Sequence, residues 1–221
     1  MSARSKKFVS GEFYHIYNRG NSKQKIFHDE EDYQRFTSLL FLSNKMKKFD
    51  IFDLRKYKNK NTYKHENNKP IVSIGSYCLM PNHFHILITQ AESEENGISK
   101  FMHKLGTAYS MYYNKKYKRT GGLFEGKFKS QYIETDRHLK YLFSYIHLNP
   151  IKLIQKDWKE KGIVNRKEAI SYLNNYLFSS YIDFMGEKRF ENEIIDTWAF
   201  PKYFPKKESF IKETLNWLSY K

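Results

Sequence analysis

The chain has 221 residues and a formal net charge of +15, from 39 Lys and Arg against 24 Asp and Glu. Hydrophobic residues make up 40% and charged residues 29%, enough apolar material for a core, so a disordered tail is excluded. A single cysteine, Cys78, excludes a disulfide framework and a cysteine-type zinc site, and no run approaches the ~20 apolar residues of a membrane helix.

In chain order, Phe13 to Tyr17 is aromatic-rich and extended, and Asn18-Arg19-Gly20 closes it, which predicts a strand and a turn. Asp29 then reads as a helix N-cap, with Glu30, Glu31 and Asp32 in the first turn where the helix dipole favours negative charge. Tyr33, Phe36, Leu39 and Leu40 keep helical spacing behind it. Lys56 to Asn68 is rich in Lys and Asn and poor in apolar residues, the composition of an exposed loop. Ile71 to Leu79 reads as a strand, Pro81-Asn82 breaks it, and His83 to Thr89 reads as the second arm of a hairpin. Ile98, Phe101, Met102, Leu105, Ala108 and Tyr112 fall at helical positions. Thr120-Gly121-Gly122 ends that unit, and a further strand is expected from about Leu123 to Ile133. Thr135 caps a helix running through Leu139, Leu142, Phe143 and Ile146 to Asn149-Pro150, where proline stops it.

The order β-α-β-β-α-β-α contains, in its first six elements, the ferredoxin-like split arrangement. The expected class is therefore α+β, an antiparallel sheet with two helices on one face and one helix added. In that topology the first and third strands are central, which puts the His83 strand in the middle of the sheet. Beyond Ile154, Trp158, the helical stretch Arg166 to Leu177 and the amphipathic segment Phe210 to Leu218 predict a small helical appendage. The expected division is a catalytic unit at 11–154 and an appendage at 155–221.

Two constellations can carry chemistry. His83 and His85 lie two apart on a strand, so both side chains leave one face while Phe84 points the other way. Two imidazoles converging from one face can hold a divalent ion, although half-buried histidines on an alternating strand give the same pattern. Tyr145 and Asn149 stand four apart on a helix and share a face. A phenol can attack a phosphodiester and an amide oxygen can complete a metal site. Packing beside Tyr141 and a helix C-cap are the structural readings of the same two residues.

The sequence Cys78-Leu79-Met80-Pro81-Asn82-His83-Phe84-His85-Ile86-Leu87, followed by Tyr145-Ile146-His147-Leu148-Asn149-Pro150, resembles the REP-associated tyrosine transposases. These form part of the single-tyrosine branch of the HUH (His-hydrophobic-His) endonucleases. Tyr14-His15-Ile16-Tyr17-Asn18-Arg19-Gly20, Ile26-Phe27, Asp32-Tyr33 and Gly122 to Ser130 match in the same order, so the resemblance covers roughly Gly11 to Ile154. It implies His83 and His85 as metal ligands, Asn149 as the third ligand, Tyr145 as the nucleophile, and magnesium or manganese as the divalent ion. The implied activity is cleavage and joining of single-stranded DNA through a 5′-phosphotyrosine intermediate, by a monomer or a homodimer. The chain is expected in the cytoplasm, since no apolar h-region follows Met1 to Lys7.

The basic excess agrees with a polyanionic partner, with part of the lysine content attributable to compositional bias toward Lys, Asn, Ile and Tyr. Arg19, Lys115, Lys116, Lys118, Arg119, Lys127 and Lys129 are the candidate DNA-backbone contacts, a solvated lysine face being the plainer reading. In-line attack needs a phosphate that can be splayed, which favours single strands and hairpin flanks as substrate. His103, His138, His147 and His15 receive no role. Histidine-triad hydrolases need a third histidine where Leu87 stands. A non-catalytic single-stranded nucleic-acid-binding module shares the β-α-β-β-α-β order and stays open as the alternative.

Overall fold

The computed structural model describes residues 7–45, 70–92, 94–203 and 206–216. The predicted Lys56–Asn68 loop lies outside them. Among the described residues no helix is long and apolar enough to cross a membrane.

Four strands, β1 (Phe13–Arg19), β2 (Val72–Met80), β3 (His83–Gln90) and β4 (Lys129–Tyr132), form one sheet in the order β2-β3-β1-β4. Every neighbouring pair is antiparallel. The fold is α+β, and β1 and β3 are the central strands. Helices α1 (Glu30–Ser43) and α2 (Gly97–Lys116) cover one face, where Ile16, Ile74, Phe84, Ile86 and Ile88 meet Phe36, Leu39, Phe101 and Leu105. Asp29 caps α1 as expected, its side chain accepting from the amide of Asp32.

β4 is shorter than expected. The predicted strand from Leu123 forms a ladder only from Lys129, and Gly126 in between has φ +103, outside the extended region. Lys127 therefore lies outside the strand, so it does not share a strand face with Lys129, as an unbroken strand from Leu123 would require. Phe124 keeps a single bridge, to Gly20.

The opposite sheet face carries α3 (Asp136–Leu148), capped by the Thr135 hydroxyl accepting from the amide of His138. At Asn149-Pro150 the helix gives way to a 3-10 turn over Asn149–Leu153. Among the described residues, the α-helices that follow are α4 (Trp158–Lys161), α5 (Arg166–Asn175), α6 (Tyr181–Phe184) and α7 (Lys207–Asn216). Leu139, Leu142, Phe143 and Ile146 of α3 bury themselves with Trp158, Ala169, Leu173, Tyr181 and Phe210 from these helices. The edge strand β2 is covered too: Leu79 N–H donates to Phe178 O and Ser180 N–H to Tyr77 O. Covering an edge this way removes a template for intermolecular pairing. Arg189 secures the cover, donating to Asp183 and to the carbonyls of Leu177 and Ser179.

Candidate nucleic-acid-cleaving site

Residues directly opposite across an antiparallel pair point to the same sheet face. Tyr17 faces His85, Arg19 faces His83, and Cys78 and Met80 flank the two histidines from β2. His15 stands two residues from Tyr17 and shares that face. Lys129 pairs with Tyr17 and joins it from β4. This is the face α3 covers.

The two predicted histidines are together, with ring centroids 5.0 Å apart. Tyr145 of α3 comes down on them: its ring centroid is 5.5 Å from that of His85, edge to face. The phenol is otherwise framed by Tyr141 at 6.0 Å and Trp158 at 6.5 Å, both stacked. Asn149 is buried one turn beyond and its amide N–H donates to Tyr145 O, a helix-terminal role. Its φ of −52 is right-handed helical, so the left-handed C-cap considered from the sequence is not used.

His15, given no role from the sequence, sits at the centre of this cluster. Its Nε2 lies 2.8 Å from Nδ1 of His85. His83 Nδ1 lies 2.6 Å from the amide oxygen of Asn82, which can only accept, so Nδ1 carries the proton and Nε2 keeps its lone pair. Burial, then the charges of His138 and Lys159, lower His15 to about 4. Burial, then Lys152, Arg19 and Lys159, lower His83 to about 4. His85 lies well below its ordinary value, chiefly through burial, with His15 and His83 adding. All three imidazoles are thus neutral near pH 7. A signal for His15 existed in the period-two spacing His15-x-Tyr17, but its register against His85 did not.

The remaining polar atom of the cluster is informative. Nε2 of His85 is buried and has no hydrogen-bond partner. An unsatisfied buried nitrogen costs about 1–3 kcal/mol, so a native fold keeps one where something else uses it. A nitrogen held that way, next to a second imidazole with a free Nε2, fits a divalent metal ligand set. Among the described residues no three His, Cys, Asp or Glu side chains group as a metal site, so a third protein ligand would come from another residue type, such as the amide of Asn149.

The basic candidates separate. Lys116 Nζ is engaged by Asp29 at 2.8 Å, Asp32 at 2.9 Å and Glu31 at 3.2 Å. Arg19 pairs with Glu125 at 2.8 Å. Arg119 lies over the Tyr113 ring at 5.6 Å. Lys115, Lys118, Lys127 and Lys129 are exposed. Of the whole set, Lys129 and Arg19 stand nearest the histidines. Lys152 and Lys159, which the sequence reading passed over, are close enough for their charges to act on the imidazoles.

An α+β sheet with a His-x-His strand and a tyrosine-bearing helix on one face defines a class. The family model of IS200-like transposases matches residues 54–149, just under half the chain, a stretch that includes His83, His85, Tyr145 and Asn149. Among solved structures, the fold is similar to that of a REP-associated tyrosine transposase bound to a REP hairpin, with 12% identity and a TM-score of 0.50, over 85% of this chain and 87% of that one. No curated protein matches.

Proposed function

We propose that this transposase-family protein is a metal-dependent single-stranded DNA endonuclease and strand transferase that acts through a 5′-phosphotyrosine at Tyr145. The observation that carries the reading is the Tyr145 ring 5.5 Å from His85, whose Nε2 is buried and unpartnered. His83, His85 and Asn149 would hold magnesium or manganese. When bound, the ion supplies a Lewis acid that polarises the scissile phosphate. His15 holds the His85 ring in place through Nδ1, which leaves Nε2 as the nitrogen turned to the ion.

In the reaction, the Tyr145 Oη–P bond forms as the P–O3′ bond breaks. The phenolic proton passes to solvent and O3′ takes one up, leaving a free 3′-hydroxyl. The covalent ester conserves the phosphodiester energy, so attack by another 3′-hydroxyl rejoins strands without a nucleotide cofactor. Hairpin-flanked DNA is the proposed substrate, supported by the REP hairpin in the similar structure and by the exposed lysines. The acting species is proposed to be a monomer or a homodimer. The proposed catalytic unit is 11–154, with 155–221 as a helical appendage whose described helices pack against α3.

The test is an end-labelled pool of single-stranded hairpins with randomised flanks, incubated with manganese and run under denaturing conditions. Wild type is expected to give a protein–DNA band that Tyr145→Phe lacks. A band in both proteins refutes the tyrosine assignment. Hairpin binding by wild type with no band at any flank favours a non-catalytic binding module.

A further inference from the structure

A cation that lies over the Tyr145 ring comes from outside the segment matched to the transposase family. Trp158 opens α4, is 1% exposed, and stacks on Tyr145 from within the second core. That anchor sets the next residue, Lys159, above the tyrosine. Its Nζ is 3.9 Å from the Tyr145 ring centroid and 5.9 Å from that of Trp158. Lys159 is exposed, and among the described residues it has no carboxylate partner, unlike Lys161 with Asp157 in the same helix. Its charge is felt by His15, His83 and His85 alike. A positive charge therefore sits over the phenol ring, within electrostatic reach of the imidazoles, with no carboxylate partner among the described residues.

An aromatic face is a weak partner for an ammonium at an exposed site, about 0.5–1 kcal/mol. A phosphate oxygen is a stronger one, because both groups are ionised. We propose that Lys159 is a catalytic residue that takes a non-bridging oxygen of the scissile phosphate while Tyr145 attacks it. The ammonium then offsets charge that gathers on that oxygen in the transition state, and it holds the phosphorus in line with Oη. Burial of Trp158 is what makes the placement reproducible from one molecule to the next. The inference rests on the nuclease reading above, and it gives the segment after residue 154 a share in the chemistry.

Single-turnover formation of the covalent band on the hairpin pool, together with hairpin affinity measured without metal, tests it. Lys159→Met keeps the stem over Tyr145 and removes the charge; Lys159→Arg keeps the charge. The Met variant is expected to form the band roughly 100-fold more slowly, with hairpin affinity changed less than about threefold, and the Arg variant to recover most of the rate. Equal rates for wild type and Lys159→Met overturn the proposal and leave the tyrosine reading intact. A rate loss no larger than the affinity loss also overturns it, in favour of an ordinary backbone contact. An absent band for wild type removes both readings. Melting temperatures of the variants within a few degrees of wild type exclude a folding defect as the cause.

Discussion

At the scale of single residues, the site depends on which ring nitrogen of each histidine is left free. Asn82 decides it for His83 by accepting from Nδ1, and the His15 contact occupies Nδ1 of His85, so Nε2 is the uncommitted nitrogen of both rings. Partners of this kind typically change metal affinity 10- to 100-fold when removed. His15→Phe keeps a ring of similar size in the sheet and deletes the hydrogen bond to His85. Manganese affinity, titrated by calorimetry or by the spin resonance of the free ion, is expected to fall by about 10- to 100-fold, with His15→Gln in between. Unchanged affinity in the Phe variant removes the positioning role. That His83 shares a face with His85, and Tyr145 with Asn149, was legible from spacing, two residues apart on a strand and four on a helix, whereas their site roles came from the family resemblance. His15 was not legible, because its partner lies 70 positions away and only strand register joins them.

At the scale of elements, the hinge between α1 and α2 is a buried carboxylate. Asp32, in the first turn of α1, accepts from the His28 amide, the hydroxyls of Tyr112 and Tyr117, and Lys116. Burial pushes its carboxyl up, and these hydrogen bonds together more than offset it, so the group stays ionised. The sequence suggested a simpler role, an acid at a helix N-terminus, and assigned Lys116 to DNA. Both residues instead cross-link two helices, a use visible only once α1 and α2 are side by side. Asp32→Ala leaves two hydroxyls and the His28 amide without their shared acceptor while Lys116 keeps Asp29 and Glu31, and is expected to lower unfolding free energy by about 1–3 kcal/mol in denaturant titration. A loss below ~1 kcal/mol would show that solvent replaces the carboxylate readily. The truncated β4 belongs at this scale as well. Apolar and aromatic residues at Leu123, Phe124 and Phe128 looked like strand, but the positive φ of Gly126 breaks the ladder, a backbone property that residue type permits without dictating.

At the scale of the whole molecule, the sheet has a helical layer on both faces, and the second layer is built largely from residues past 154. His147 lies inside it, 0% exposed, with Nε2 at 2.8 Å from Ser180 Oγ, the same serine that ties the C-terminal segment to Tyr77 of β2. Burial lowers its pKa from 6.5 to about 3. The unfolded chain therefore binds a proton at this position below pH 6.5 while the folded chain does not, so acid favours unfolding until pH reaches the folded value. The expected loss is about 1.4 kcal/mol per pH unit in that window, roughly 2 kcal/mol between pH 6.5 and pH 5. Comparing the pH slope of stability for wild type and His147→Gln, both with chelator present, checks it. Parallel slopes would show that His147 does not carry the acid sensitivity.

By itself the sequence determined the kinds of element and their order, the alternation that sends Phe84 into one core and the two histidines to the other face, and the spacing of Tyr145 and Asn149. These follow from local periodicity, which a chain carries in its own residue pattern. Only the tertiary structure decided that Tyr145 meets His85, that His15 completes the histidine cluster, that Lys116 is consumed by carboxylates, and that Lys159 stands over the nucleophile. Those pairings depend on strand register and on how one layer packs over another, long-range choices made by burial of the two cores together rather than by any segment alone.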